Sequence, residues 1–275
     1  MTNTTRTIIL WAAISIAGVG SAAHAQADAS QPKLHLTSRW KECSFQLDPA
    51  LTQAAWHQFT REAAAVTYFR PLTGAKSLGT GKFELSLMQW KTGIDASDAA
   101  WNDTFVHPDS THWLFEGSGL NFPGMSARVG VSSRTDVGAY FTRNPNANYG
   151  FYGGQLQQNL DRDSWKKVSL AARASFVSMY GPEDVAFSVY GVDVVGSREF
   201  SLLNGRATLS PYAVVSSTLA RSHEKSALVS LHDESVLGAQ GTVGVEARVW
   251  RATVAAEYGM ASVRSFSLKV GIGSL

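Results

Sequence analysis

The sequence predicts an all-β fold: a closed antiparallel transmembrane β-barrel of about ten strands, preceded by an α-helix. Two observations carry this prediction. Apolar and polar residues alternate along repeated segments of the second part of the chain, and no segment after the N-terminus is as long and apolar as a membrane-spanning helix. The composition agrees, because only 17% of the residues are charged and 11% are aromatic.

The N-terminus has the pattern of a cleavable secretory signal. Arg6 precedes an apolar run over 8–20, and Ala23-His24-Ala25 forms a small-residue cleavage site. Residues 1–25 are therefore predicted to be a signal peptide. Cys43 is the only cysteine of the chain, so an intramolecular disulfide is excluded.

Residues 26–80 are predicted to form an N-terminal extension with a helix over about 49–69. Asp48 precedes Pro49, which is the arrangement of an N-cap followed by proline at the first helical position. One apolar stripe follows the helix, made by Leu51, Ala55, Phe59, Ala63 and Val66. Three positions are open for this helix: plugging the barrel, packing across its periplasmic mouth, or lying on the membrane surface.

Residues 81–275 are predicted to form the barrel. The clearest strand follows Trp165, where Val168, Leu170 and alternate residues to Phe176 share one face and polar residues occupy the other. The parity slips near Gly191, which predicts a β-bulge. Ten strands are predicted, over or near 82–87, 127–132, 136–142, 149–158, 168–176, 185–194, 207–219, 242–249, 252–258 and 265–272.

An even strand number brings the end of the barrel back to the side where it began. Short turns over 133–135, 159–164 and 250–251, with a longer link over 196–206, are predicted at the periplasmic end. The long segments 92–123 and 220–235 are predicted at the external end, together with tight connections over 144–148 and 180–183. Both termini are then expected on the periplasmic side.

A soluble lipid-binding barrel with its apolar faces turned inward gives the same alternation and is the structural alternative. Two features favour the membrane barrel. The predicted strands are long for a soluble sandwich, and aromatic residues gather near strand ends, as an interfacial girdle would require. These aromatics are Trp90, Tyr140, Phe141, Tyr149, Tyr152, Trp165, Tyr180, Trp250 and Tyr258.

Repeated amphipathic strands, the run Tyr149-Gly150-Phe151-Tyr152-Gly153-Gly154 and a final apolar strand resemble bacterial outer-membrane β-barrel proteins over 81–275. The resemblance implies a porin-like protein of the Gram-negative envelope, located in the cell outer membrane. It implies outer-membrane lipids and the barrel-assembly machinery as partners, with a small solute or lipid as a candidate ligand. The chain departs from the pattern in ending at Leu275 where such proteins usually end in an aromatic residue.

The polar strand faces predict a charged lumen. A barrel of about ten strands leaves little interior space, so we expect an ion-paired filling and a narrow or plugged channel. The net charge of +2, without a basic cluster, gives no support to nucleic-acid binding. The predicted lumen-lining residues are Lys82, Glu84, Arg128, Asp136, Lys167, Arg173, Glu246, Arg248, Glu257 and Lys269.

The two long loops carry His and carboxylate residues, which could ligate a metal or activate a water molecule. This makes a rim hydrolase the enzymatic alternative, but no fixed ligand spacing occurs, and we predict neither a cofactor nor a metal. The sequence favours a non-enzymatic channel or a surface structural or binding protein. The candidate catalytic residues are His107, Asp109, His112, His223, His232 and Asp233.

Overall fold

The computed structural model describes residues 44–95, 97–106, 120–143, 147–161 and 168–274. The predicted signal peptide lies outside these residues. In chain order the elements are β1 (Ser44–Phe45), α1 (Gln53–Thr67), β2 (Phe83–Thr92), α2 (Ala99–Asn102), β3 (Phe105–Val106), β4 (Leu120–Gly130), β5 (Thr135–Arg143), β6 (Gly150–Asn159), β7 (Ser169–Tyr180), β8 (Val185–Ser197), β9 (Phe200–Leu202), a 3₁₀ turn (Leu203–Gly205), β10 (Ala207–Glu224), β11 (Glu234–Val249), β12 (Ala252–Met260) and β13 (Arg264–Gly273).

Ten of these strands close into one antiparallel barrel, which confirms the predicted fold class. Around the barrel the order is β2, β4, β5, β6, β7, β8, β10, β11, β12 and β13. The pairing of β13 with β2 closes the ring, with Val270 opposite Leu87. The short strand β9 folds back on β10, and β1 pairs with β3 outside the barrel.

The connections divide between two ends of the barrel, as the sequence predicted. The turn end carries 131–134, 160–168, 198–206 and 250–251, the start of β2 and the end of β13. The loop end carries 93–119, 144–149, 181–184, 225–233 and 261–263. Which end faces the cell exterior stays a prediction.

The outer wall is apolar and the inner wall is polar. Leu87, Val215 and Leu237 point outward with 65%, 70% and 75% of their surfaces exposed, whereas Glu246 and Lys269 are buried inside. A soluble barrel with inward apolar faces is therefore wrong for this chain, because it would require the opposite orientation of every strand.

The predicted helix is confirmed, with shorter bounds. Thr52 rather than Asp48 is its N-cap, since the Thr52 hydroxyl accepts from the amide of Ala55 at 3.3 Å. Asp48 instead holds a turn before the helix, through the amides of Ala50 and Leu51. The predicted apolar stripe of α1 is buried.

The predicted bulge at Gly191 is wrong. Gly191 pairs in unbroken register with Ser175 on β7 and Thr218 on β10. The apparent slip arises because the inward residues of β8 change from apolar Val185 and Phe187 to smaller or polar ones further along the strand. The inner wall is apolar where it packs against α1, so polarity alone does not reveal the strand parity there.

Several predicted girdle aromatics point into the barrel instead. Trp90, Tyr140 and Tyr149 are buried, and the indole of Trp90 donates to the carbonyl oxygen of Val66 at 2.8 Å. These rings pack against the N-terminal extension, which the strand pattern does not show. The outward aromatics are Phe141, Tyr152, Trp250 and Tyr258, Tyr180 is partly buried at a strand end, and Trp165 lies outside the described residues.

Among the described residues, neither helix has the length and apolar character that crossing a bilayer requires. Helix α1 has 15 residues and packs against β10 and β11 near the loop end. Helix α2 has four residues and packs against α1.

Candidate functional site

The chain's own residues 68–80 cross the lumen, and we call them the lumen segment. At the loop end, Gln53 of α1 donates to the carbonyl oxygen of His232 at 3.2 Å. At the turn end, Lys76 forms a 2.8 Å ion pair with Glu199, and the amide of Gly81 donates to the carbonyl oxygen of Gly130 at 2.8 Å. The segment therefore joins a helix at one end of the barrel to a strand that begins at the other.

The backbone of the lumen segment is bound by the barrel wall. The buried guanidinium of Arg173 on β7 donates to the carbonyl oxygens of Thr73 and Gly74, the second at 3.1 Å. Gly74 approaches the wall closely, because a Cβ there would lie 3.0 Å from Oγ of Ser197. A side chain at this position would require the Ser197 side chain to shift by a few tenths of an ångström.

Ala75 is the most firmly held residue of the segment. Its amide donates to Ser197 at 2.9 Å, and its carbonyl oxygen accepts from Gln157 at 3.2 Å and from Asn159 at 3.1 Å. All four residues are buried. Strands β6 and β8 therefore hold the segment from two sides of the lumen.

A buried charge cluster lies beside the segment. Nζ of Lys269 is 2.8 Å from Glu84 and 3.4 Å from Glu246, and it also donates to the carbonyl oxygen of Pro71 at 3.3 Å. Arg248 makes a second contact with Glu246 at 3.2 Å. Charges buried in a protein require such partners, so the cluster and the segment stabilise each other.

A second group of charges holds the end of the segment. The carboxylate of Asp136 accepts from the Ser77 hydroxyl at 2.7 Å and from the Leu78 amide at 3.1 Å. Nε of Arg128 lies 4.0 Å from the same carboxylate, and its terminal nitrogen donates to the hydroxyl of Thr73 at 3.0 Å. Arg128 and Asp136 therefore both hold the lumen segment through hydrogen bonds.

Halfway along the barrel, Tyr68 fills the space in front of Gly191. The Tyr68 hydroxyl donates to the buried carboxyl of Asp193. A Cβ at Gly191 would lie 2.3 Å from the Tyr68 ring, so only glycine fits there. On the neighbouring strand β10, the Tyr212 hydroxyl donates to the Glu257 carboxylate of β12 at 3.0 Å.

The loop end is covered by an aromatic cap, which consists of β1, β3, α1 and α2. Trp56 stacks on Phe59 with ring centroids 5.4 Å apart, and Phe59 meets the edge of Trp101 at 5.2 Å. Phe45 packs on Phe105 at 4.9 Å. These rings are buried, so the cap has a small core of its own.

A polar contact ties α1 to the loop end of β11. Nδ1 of His57 lies 2.8 Å from one carboxylate oxygen of Glu234, and Gln53 donates to the other. The Gln53 side chain also accepts from the His232 amide at 2.8 Å. The cap is thus joined to the β11 side of the 225–233 loop.

A cavity of about 630 Å³ opens beside the cap at the loop end. Its lining combines the aromatic residues Phe45, Tyr149 and Tyr180 with the charged residues Arg143 and Glu183. Aromatic walls with a few polar groups are a common composition of small-molecule sites.

The structure brings most of the predicted lumen-lining residues together inside the barrel. Lys82 differs, because it precedes β2 at the turn end and its side chain is exposed. Lys167 lies outside the described residues. The residues with buried side chains are Glu84, Arg128, Asp136, Arg173, Glu246, Glu257 and Lys269, and Arg248 is partly buried.

The candidate catalytic residues of the first long loop, His107, Asp109 and His112, lie outside the described residues. Beside the 225–233 loop, His223 at the end of β10 and Asp233 form a 2.6 Å pair, with both side chains more than half exposed.

His232 meets Gln53 through its backbone. The described residues hold no group of three His, Cys, Asp or Glu side chains placed for a metal ion. The rim-hydrolase hypothesis therefore stays a prediction.

Asp95, at the start of the first long loop, is held by its neighbour Ser97. The Ser97 hydroxyl and the Ser97 amide donate to the carboxylate of Asp95 at 2.6 and 3.0 Å. These bonds hold the pKa of Asp95 below its usual value. Asp95 thus closes a local turn rather than joining a catalytic group.

Sequence reasoning missed the lumen segment and the neutral residues that hold it. Its contacts use backbone groups and single polar side chains, which leave no periodic signal. The small residues between Pro71 and β2 could have indicated this segment, since small side chains fit a narrow lumen. The missed residues are Thr73, Gly74, Ala75, Gln157, Asn159, Asp193 and Ser197.

A closed antiparallel barrel with an apolar outer wall and a charged interior is the architecture of a bacterial outer-membrane β-barrel protein. No family model matches the sequence, and no curated protein matches it. The fold is similar to that of several solved outer-membrane proteins.

The β domain of the Bordetella autotransporter BrkA is 10% identical, with a TM-score of 0.41, over 70% of this chain and 98% of that one. An outer membrane channel from Pseudomonas putida F1 is 11% identical, with a TM-score of 0.41, over 73% and 98%. The translocator domain of the autotransporter NalP from Neisseria meningitidis is 11% identical, with a TM-score of 0.37, over 72% and 89%.

Proposed function

We propose that this protein is a closed barrel of the bacterial outer membrane that passes no solute in the state described. It acts at its loop end, as a surface structural or binding protein. One observation carries the proposal: the lumen segment occupies the interior and is bonded to several strands of the wall. The wall residues involved are Asp136, Gln157, Asn159, Arg173, Ser197 and Lys269.

The energetics support a plug that stays in place. Withdrawing the segment would leave Arg173 and Asp136 without their partners from the segment in a low-dielectric interior. A hydrogen bond to a charged group contributes about 1.5–3 kcal/mol, and each neutral hydrogen bond adds about 0.5–1.5 kcal/mol. A small trigger at the rim therefore does not suffice to open the lumen.

The loop end supports a binding role. The aromatic cap is preformed and the cavity beside it is open, with Arg143 and Glu183 among its polar groups. A small solute or lipid is the candidate ligand for this cavity. The apolar wall would be covered by outer-membrane lipids, and insertion would depend on the barrel-assembly machinery.

A plugged channel that opens by releasing the segment is the second candidate, favoured by the polar inner wall. A disulfide between positions 74 and 197 separates the two. An ideal Cβ at Gly74 lies 3.1 Å from the Cβ of Ser197, which is near the Cβ separation of about 3.8 Å in disulfides. The variant G74C/S197C is made with Cys43→Ser, so that no third thiol competes.

The measurement is conductance of the purified full chain in planar bilayers, oxidised and then reduced. We expect no stable current steps from either form, or from S197C in the same background as the control. Current steps that appear only after reduction would favour the gated channel. Equal steps from both forms would show that ions pass with the segment locked in place, and the closed-barrel proposal would fail.

A further inference from the structure

The described chain begins at the loop end of the barrel. The first described strand, β1, lies at the loop end and pairs with β3, which belongs to the first long connection. Asn148, in the 144–149 connection, accepts from the Phe45 amide at 2.8 Å and donates to the Phe45 carbonyl oxygen at 2.6 Å. The start of the described chain is therefore attached to two loop-end connections.

The last described residues lie at the turn end of the barrel. The amide of Ser274 donates to the carbonyl oxygen of Phe83 at 3.0 Å, and β2 begins there. The ten strands cross the barrel an even number of times, and the lumen segment adds one more crossing. Ser44 and Gly273 therefore lie at opposite ends of the barrel. The inference below departs from the expectation that both termini share the periplasmic side, and the N-terminus itself lies outside the described residues.

We propose that the chain preceding Ser44 is displayed at the outer surface of the cell, with the lumen segment connecting it to the barrel wall. The barrel is then an outer-membrane anchor that presents its N-terminal segment. This inference rests on the orientation that the proposed function assumes, with short turns in the periplasm and long loops outside. The proposed function requires only the cap and the loops at the cell surface. The present inference adds the N-terminal segment to that surface.

The composition of the lumen segment fits a passage through a narrow barrel. From Pro71 to Gly81 its side chains are mostly small, and its only charge is Lys76, which pairs with Glu199 at the turn end. At Gly191 the contact leaves no space for an added Cβ, and at Gly74 an added Cβ would lie 3.0 Å from Ser197. The segment and the wall are thus fitted to each other along their length, as an anchor requires.

The charge distribution favours retention once the segment is in place. Lys76 sits beside Glu199 at the turn end, and Arg173 and Asp136 hold the residues on either side of it. Pulling the segment toward the loop end would draw an ammonium group into the lumen and break these contacts, which is costly in a buried setting. The cap meanwhile opposes movement in the other direction, because α1 packs against β10 and β11 and its side chains Gln53 and His57 bond to Glu234.

Surface accessibility of a short hydrophilic epitope tests the proposal. Three full-length chains are made, with the epitope between Pro32 and Lys33, within the 225–233 loop at Leu228, or in the turn between Trp250 and Arg251. Antibody binding is measured on intact cells and after outer-membrane permeabilisation, and only chains with heat-modifiable migration are compared. Leu228 and Trp250 are exposed, so tags there disturb little.

We expect the Pro32 and Leu228 epitopes to bind antibody on intact cells, and the Trp250 epitope to bind only after permeabilisation. If the Leu228 epitope is accessible and the Pro32 epitope is not, the displayed segment is refuted while the orientation stands. If only the Trp250 epitope is accessible on intact cells, the barrel is inverted, and both this inference and the proposed function fail. Inaccessibility of all three on intact cells overturns surface display as well.

Discussion

Replacing Gly191 by alanine tests how closely the lumen segment fits the wall. The added Cβ would lie 2.3 Å from Cε2 of Tyr68 and 3.0 Å from its hydroxyl oxygen, so the ring has to move. Forcing an extra carbon into a packed interior costs about 1–3 kcal/mol. Moving the ring also breaks the hydrogen bond to Asp193, and a bond to a charged group contributes about 1.5–3 kcal/mol. We expect Gly191→Ala to lower the free energy of unfolding by about 2.5–6 kcal/mol.

The assay is urea unfolding of protein refolded into lipid vesicles, followed by tryptophan fluorescence and by heat-modifiable migration. Gly241→Ala is the matched control, since an added Cβ there meets nothing within 4 Å and the backbone change is the same. In a Tyr68→Ala background the Gly191→Ala substitution should cost little, because the obstructing ring is gone. Equal stability of the two glycine variants, or an unchanged cost without the Tyr68 ring, would refute the packing of the segment described above.

Three further substitutions test the charge cluster, the lipid-facing wall and the cap. Lys269→Met should lower the unfolding free energy by about 3–5 kcal/mol in the same urea assay, because it leaves Glu84 and its neighbouring carboxylate without their shared cation. Val215→Arg should cost about 2–4 kcal/mol on insertion into vesicles, because this outward residue lies in the middle of β10 and would meet hydrocarbon. Trp56→Ala should loosen the cap by about 3–5 kcal/mol and accelerate tryptic cleavage after the exposed Arg61, measured as a cleavage rate.

Each of these variants has a control. Adding Glu84→Gln to Lys269→Met should recover part of the loss, and equal instability of both would contradict the ion-pair account. Leu228→Arg changes an exposed loop residue to the same cation and should insert normally. If Leu228→Arg inserts into vesicles as poorly as Val215→Arg, the position of residue 215 in the hydrocarbon is not the cause of the poor insertion. An unchanged cleavage rate in Trp56→Ala would mean that the cap does not protect α1.

The barrel wall could be predicted because lipid imposes a rule on every strand. Each outward residue meets hydrocarbon and each inward one meets the polar interior, so alternation appears directly in the sequence, as it does from Val168 to Phe176. The predictions of a bulge at Gly191 and of a girdle position for Trp90 were wrong, because these strands also pack against the N-terminal extension. At Phe187 and Trp90 the inner wall is apolar, because it packs against the cap and α1. A period of two cannot distinguish that packing from a bulge or a girdle.

The candidate site was predictable in part. Charges such as Glu246 and Lys269 stand out on polar strand faces, so their place on the inner wall follows from parity. Their partners do not follow, because Pro71 and Ala75 engage the wall through backbone groups that every residue possesses. Threading also depends on contacts between residues far apart in sequence, such as Phe45 with Asn148, for which a single sequence carries no signal.

The lumen segment also constrains the order of assembly. The ring closes when β13 pairs with β2, strands that lie near the two ends of the described chain. Because the lumen segment is bonded to β6, β7 and β8, we expect it to lie inside before that seam closes. The last step of folding would then be the zipping of β13 along β2 around an occupied interior. Pairing between strands so far apart in sequence is slow. The expected intermediate is an open sheet that already surrounds the N-terminal extension, and a periplasmic chaperone would have to protect it.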